Sequence, residues 1–420
     1  MNTDTSNRGP GTMISLSVMM FLQFFVWGAW YVSMTGFINA EGMSGVTAAA
    51  YTVGPIAALL SPFFLGMVAD RFFPSQRVLG AMHLLGGLLM MLAPSAARPF
   101  EGSQIASFGH PFILVLLGFM LCYMPTLGLS SSVALNSMSN PKKQFPMVRV
   151  WGTIGWIVGN LVVQLFPDKD ASSMQFYATG GAALALGVFS FFLPHTAPPL
   201  AGKKITFGEV IGLDSLRLFM RPSYAVFIVC SFLICIPLAG YYTQARNFVE
   251  ATGAMINGSA TTSMSFGQMS EIAFMIIMPV FFARLGVKWM LAVGMLAWVL
   301  RYALFAGAAD DSVKWMVLGG ILLHGICYDF FFVTGQIYVD TEAGPNIRSQ
   351  AQGFYVLVTQ GLGLGIGAQV FNWLVKQNTS SEGALDWQTI WLLPAGFALL
   401  VLVVFVILFK NKEDMDPGES

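Results

Sequence analysis

Residues 322–335 read LLHGICYDFFFVTG. Asp329 is a lone carboxylate there, with Tyr328 before it and Phe330, Phe331 and Phe332 after it, inside an apolar run that begins near Val313. The solvent around that run decides the fold. The 420-residue chain is 55% hydrophobic and 10% charged, whereas a soluble domain carries about 25% charged residues. Its mean hydropathy is +0.68. So much apolar surface suits a bilayer rather than water. A net charge of zero argues against nucleic acid as a partner.

A spanning helix needs about 20 mainly apolar residues. Twelve runs qualify: 13–39, 45–69, 76–96, 110–136, 146–166, 173–193, 222–248, 261–283, 287–308, 313–340, 349–376 and 387–409. They are continuous rather than alternating, which predicts helices and not the strands of a closed barrel. The apolar run after the polar start MNTDTSNRGPGT is too long for a signal peptide and reads as the first span. Cys122, Cys230, Cys235 and Cys327 all fall in apolar runs and form no CxxC pair. They read as small core residues, and no metal site is expected.

Basic residues set the orientation. With both termini cytoplasmic, the inner loops and tails hold fourteen: Arg8, Arg71, Arg77, Lys142, Lys143, Lys203, Lys204, Arg217, Arg221, Arg284, Lys288, Arg348, Lys410 and Lys412. The outer loops hold four: Arg98, Lys169, Lys314 and Lys376. The longest inner connection, 194–221, then divides a six-helix half (13–193) from a second (222–409), with cytoplasmic tails 1–12 and 410–420. A weak repeat relates the halves. Pro146-x-x-Arg149 opens the fifth span and Pro345-x-x-Arg348 the eleventh, and both spans continue into glycines: Gly152, Gly155 and Gly159, then Gly361, Gly363, Gly365 and Gly367. Small residues let helices approach closely. The expected fold is an all-α polytopic membrane protein of twelve transmembrane helices in two six-helix halves, the architecture of the major facilitator superfamily.

Between the second and third spans stands Gly66-Met-Val-Ala-Asp70-Arg71. It resembles the superfamily's G-x-x-x-D-[RK] signature, a cytoplasmic conformational latch made here by Gly66, Asp70 and Arg71. The plainer alternative makes Asp70 a helix cap. The second-half counterpart, Ala283 to Lys288, is degenerate.

Soluble-enzyme motifs are missing from the sequence: it has no Walker loop, no GxGxxG after a strand and no HExxH. Any chemistry must come from polar groups inside the spans, where an acid or Arg at a helix centre costs roughly 2.5–3.5 kcal/mol. Gln268 and Glu271, three residues apart, share a helix face. They either hydrogen-bond a polar solute or make a helix–helix hydrogen bond, with Glu271 satisfied by a neighbouring Arg. Asp329 either exchanges a proton as its surroundings change from wet to dry or stays ion-paired to Arg149 or Arg301. Arg149, near the start of the fifth span, binds solute, pairs with an acid, or snorkels to the cytoplasm. Arg301, amid bulky residues, reads as structural. His324 shares a face with Tyr328, while His83 reads as a satisfied core residue. Trp27, Trp30, Trp151 and Trp156 either stack on a solute ring or anchor the interfaces.

Several stretches together resemble the nucleoside:proton symporter family of that superfamily. They are Leu22-Gln23-Phe24 with Trp27-Gly28-Ala29-Trp30, Tyr123 to Leu129, Val148 to Gly155, Leu193-Pro-His195, Gln268 to Glu271, Trp298 to Phe305, Asp329-Phe-Phe, Ile347 to Gly353 and Asp386 to Trp391. The resemblance implies proton-driven nucleoside uptake across a bacterial inner membrane, with the proton gradient as energy source and no cofactor. It implies solute contacts at Arg149, Thr153, Gln268 and Glu271, and proton coupling at Asp329, with Glu271 shared between proton and solute. Where the family places Gln and Asn in the seventh span, this chain has Ala239 and Tyr242. Its aromatic pair beside the acid becomes His324 and Tyr328, and a Phe one turn after Thr153 becomes Trp156. Tyr242, His324, Tyr328 and Trp156 complete the expected substrate set. Solute is expected between the halves near the bilayer midplane, with Asp329 facing a cavity beside Tyr328. The expected partners are a small polar solute, protons and lipid, around a monomer. The alternatives are a symporter of another polar metabolite, such as a sugar, and a receptor that binds without transport.

Overall fold

The computed structural model describes residues 10–60, 62–100, 102, 106–198, 213–256 and 260–410. Half of the expected linker and most of both tails, with Arg8, Lys203, Lys204 and Lys412, lie outside them. Leaving aside single turns, the helices are α1 (Pro10–Tyr31), α2 (Met34–Ala40), α3 (Thr47–Leu60), α4 (Pro62–Arg71), α5 (Ser75–Leu92), α6 (Pro111–Asn136), α7 (Pro141–Val163) and α8 (Met174–Ser190). There follow α9 (Pro222–Ala251), α10 (Ala260–Ala308), α11 (Lys314–Leu322), α12 (His324–Tyr328), α13 (Thr334–Ala343), α14 (Arg348–Val356), α15 (Leu364–Gln377) and α16 (Trp387–Leu408). Each of the twelve expected runs is mainly helical over its described residues. Among the described residues, eight helical stretches are long and apolar enough to cross a membrane.

Helix is the form that satisfies each backbone group within one segment in hydrocarbon. Local chemistry then sets the ends. Pro111, Pro141 and Pro222 each open a helix, where a missing N–H is harmless. The Asn140 side chain accepts the Lys143 N–H, and that of Asp386 accepts the Thr389 N–H. The Asn140 cap moves one expectation. α7 begins at Pro141, so Arg149 lies about two turns inside it, not at its start. Arg348, by contrast, does open α14.

Several runs are not single helices. α10 holds two expected spans, separated at Gly286, whose φ of 62° and ψ of −175° leave the helical region. Positive φ is strained for any residue with a Cβ. Two spans contain π-helical turns, at Asp329–Val333 and Leu357–Gly363. Such insertions mark functional positions in helices.

The chain forms two compact units. One comprises Met1–Ser215 with Val339–Leu357, the other Leu216–Tyr338 with Val358–Ser420. In the first, Val26, Trp30, Phe37, Phe112, Phe119 and Phe176 make a buried apolar core. In the second, Trp391 stacks on Tyr302 with ring centroids 5.7 Å apart and meets Phe305 edge-on at 5.1 Å.

Candidate functional site

In the second unit, a glycine sets the geometry. A Cβ on Gly325 would lie 2.6 Å from the Ser270 carbonyl, so α12 runs directly against α10. The Gly325 N–H donates to Ser270 Oγ at 3.0 Å. One residue away on each helix, Glu271 and His324 meet. His324 Nε2 lies 2.9 Å from Glu271 Oε1, and both side chains are about nine-tenths buried. Glu271 therefore has the His324 imidazole as a partner.

The His324 ring is also stacked on Tyr241, centroids 5.2 Å apart and planes 19° from parallel. The guanidinium of Arg301 lies 4.2 Å from the centroid of the same Tyr241 ring. Arg301 is fully buried and donates from Nε to the Gly320 carbonyl at 3.0 Å. It meets a carbonyl and an aromatic face, not the carboxylate that the sequence made an alternative. Glu271, His324, Tyr241 and Arg301 form one column of hydrogen-bonded and stacked groups. Tyr241 is not among the expected site residues. Its signal in the sequence is only its place beside Tyr242.

Tyr242 is 51% exposed, and its ring meets that of Tyr241, centroids 6.1 Å apart. Gln268 is half-buried, one turn before Glu271. Tyr328 is half-buried beside the His324 ring, centroids 6.0 Å apart. Asp329 opens the π turn and is fully buried, with Phe330, Phe331 and Phe332 also buried after it. It does not face open space, as the sequence suggested.

In the first unit, Arg149 is 4% exposed, which excludes a side chain snorkelling to the cytoplasm. Its guanidinium carbon lies 3.9 Å from the Phe24 ring centroid. Thr153, one turn on, is also buried, and Trp156 is half-buried. Trp156 meets Trp27 edge-on at 5.4 Å. Gln23, beside Phe24, is locked by neighbouring helices. Tyr123 Oη donates to its carbonyl at 2.7 Å, and its amide donates to Thr126 Oγ1 at 2.7 Å. The Thr126 hydroxyl donates to the Tyr123 carbonyl. That fixes the amide with its oxygen toward His83, 2.8 Å away, and places the imidazole proton on Nε2. His83 is the satisfied core residue that its isolation in the sequence suggested.

At the end of α4, in the same unit, Asp70 and Arg71 are buried. They form the last turn of a helix that includes Gly66, rather than a loop. The Asp70 carboxylate accepts the backbone N–H groups of Ser349 at 3.1 Å and Gln350 at 2.7 Å. Arg348 pairs with Asp340 and donates to Asn136 Oδ1 at 2.6 Å.

No group of three or more His, Cys, Asp or Glu is placed to hold a metal among the described residues.

The chain as a whole resembles known proteins. The family model for the nucleoside H+ symporter matches residues 11–414. The putative nucleoside transporter YegT of Escherichia coli K12 is 36% identical, over 96% of this chain and 95% of its own. The nucleoside permease NupG of the same strain is 30% identical, over 96% and 97%, and its xanthosine permease is 30% identical, over 95% and 96%. The crystal structure of NupG superposes with a TM-score of 0.66 at 29% identity, covering 96% of this chain and all of that one. A proton:xylose symporter at 11% identity shares the fold, with a TM-score of 0.68. The chain therefore belongs to the nucleoside H+ symporter family, transporters of the major facilitator fold.

Proposed function

We propose that this chain takes up nucleosides together with protons by alternating access. The observation that carries the reading is the buried Glu271–His324 contact, 2.9 Å long, with the fully buried Asp329 a few residues along the same span. An intramembrane acid is expensive unless it works. In this reading Asp329 takes and releases the coupling proton, and Glu271 answers to both proton and solute. Gln268, Glu271, His324, Tyr328 and Tyr242 contact solute in the second unit. Arg149, Thr153 and Trp156 do so in the first. Asp70 and Arg71, with Gly66 behind them, form the latch. A proton can drive solute only if the two states bind it differently. Both termini lie in the cytoplasm of a bacterial cell, the chain works as a monomer in the inner membrane, and the proton gradient is its sole energy source.

The test is uptake of radiolabelled uridine and adenosine into proteoliposomes with an imposed pH gradient. Accumulation should follow the gradient and collapse with a protonophore. Uptake indifferent to the gradient ends the proton-coupled reading. Competition by sugars but not by nucleosides would replace the solute.

A further inference from the structure

Arg149 is packed against Phe24 and Gly152. Its guanidinium lies over Phe24, 3.9 Å from the ring centroid. On another side is Gly152, on its own helix. A Cβ built at Gly152 would lie 2.6 Å from Arg149 Nη1 and 2.6 Å from Phe24 Cδ2. The space a methyl group would take is the space in which ring and guanidinium meet. Phe24 has little room to drift, because Gln23 beside it is pinned through Thr126, His83 and Tyr123. We propose that Phe24 and Gly152 are positioning residues, which hold the Arg149 fork in one plane so that it discriminates among the hydroxyl groups of a solute. The inference rests on the reading of Arg149 as a solute contact.

A guanidinium offers donors in a fixed planar fork. Its selectivity for one hydroxyl depends on the orientation of that plane. A ring beneath it fixes the plane at low entropic cost and adds a cation–π attraction. A Cβ at position 152 would lift the fork from the ring, although it touches no solute. Phe24 therefore acts through Arg149.

The test is binding of uridine, 2′-deoxyuridine, 3′-deoxyuridine and 5′-deoxyuridine to the purified full chain. The proteins compared are the wild type, Phe24→Leu, Phe24→Tyr, Gly152→Ala and Arg149→Lys. Arg149→Lys keeps the charge and removes the fork, so it should erase preference for one particular hydroxyl. Phe24→Leu and Gly152→Ala should erase preference for the same hydroxyl, at a loss of about three- to thirty-fold in uridine affinity. Phe24→Tyr should retain it. If Phe24→Leu weakens all four ligands alike, or none, the positioning role is overturned. Comparing Phe24→Leu with Phe24→Tyr decides the question even where Gly152→Ala does not fold. A wild-type preference that Arg149→Lys leaves intact also overturns the proposal, by removing the contact on which it stands.

Discussion

The Asp70 carboxylate reaches across sequence to Gln350, accepting its backbone N–H at 2.7 Å and that of Ser349 at 3.1 Å. Ser349 and Gln350 lie in the first turn of α14. Helix starts leave N–H groups without intrahelical partners and carry partial positive charge. Asp70 therefore caps a helix that belongs to a distant stretch of chain.

Asp70→Ala should cost about 1–2 kcal/mol of stability, the range for a lost cap with its charge. A thermal melt of the purified protein checks this. Asp70→Asn keeps an oxygen acceptor but loses the charge, so it should fall between. If Asp70 also latches the transport cycle, uptake by Asp70→Ala should slow well beyond what its reduced folded fraction explains, with equilibrium uridine affinity unchanged. An affinity loss in proportion to the rate loss would assign Asp70 to structure alone.

Gly325 should tolerate no side chain. A methyl group there meets the Ser270 backbone at 2.6 Å, and backbone cannot swing aside. Gly325→Ala should destabilise by about 1–3 kcal/mol, the cost of overpacking. It should also part Glu271 from His324, because the same helix contact places both. Melting temperature and uridine affinity should fall together. Wild-type affinity in a destabilised Gly325→Ala would mean that the pair does not depend on this approach.

The twelve runs are legible in the sequence because bilayer thickness fixes helix length and hydrocarbon fixes composition, and both are written locally. The polar residues are legible for the same reason: Asp329 and Glu271 stand out where charge is expensive. Their partners are not. The His324–Glu271 contact depends on how closely α12 and α10 approach, which Gly325 permits but does not announce. The π turn at Asp329 leaves no periodic signature, since the residues after it are uniformly apolar. The depth of Arg149 is hidden because Pro146 mimics a helix start, while the working cap is Asn140, six residues earlier. Tyr241 is hidden because its role lies in stacking between His324 and Arg301, an arrangement made of residues far apart in sequence.

Asp386 gives a pH dependence outside the membrane. The Thr389 N–H, 3.0 Å from Oδ1, holds this exposed carboxyl below the usual aspartate range. A depressed folded value means that the contribution is present above the unfolded pKa of about 3.9 and is lost as pH falls through the folded value. Asp386→Ala should lower stability near neutral pH, in the direction of a lost N-cap. The gap from the wild type should narrow in melts taken as pH falls through the depressed folded value. A gap constant across that range would show that the cap carries no charge dependence.

His324 stands where the family pattern has an aromatic residue. His324→Phe preserves the stack on Tyr241 and removes the Nε2 donor to Glu271. Taking a charge-assisted hydrogen bond from a buried carboxylate costs about 1.5–3 kcal/mol. Uridine affinity should therefore change by roughly ten- to a hundred-fold, with the fold intact by melting. His324→Gln, which supplies a neutral donor, should recover part of the loss. No change in either variant would show that the pair is not used in binding.

Asp329 is the residue on which the coupling claim turns. It is fully buried, in a π turn flanked by buried phenylalanines, so an ionised carboxylate there is costly unless the cycle hydrates or pairs it. Asp329→Asn mimics the protonated acid and cannot release a proton. It should bind uridine and exchange labelled for unlabelled uridine across proteoliposomes at zero gradient, because neither process needs net proton movement. It should not concentrate uridine when a pH gradient is imposed. The contrast between exchange and accumulation identifies coupling, since a merely misfolded variant loses both. Concentrative uptake by Asp329→Asn at the wild-type level would remove Asp329 from the proton pathway and leave the Glu271–His324 pair as the acid to test next.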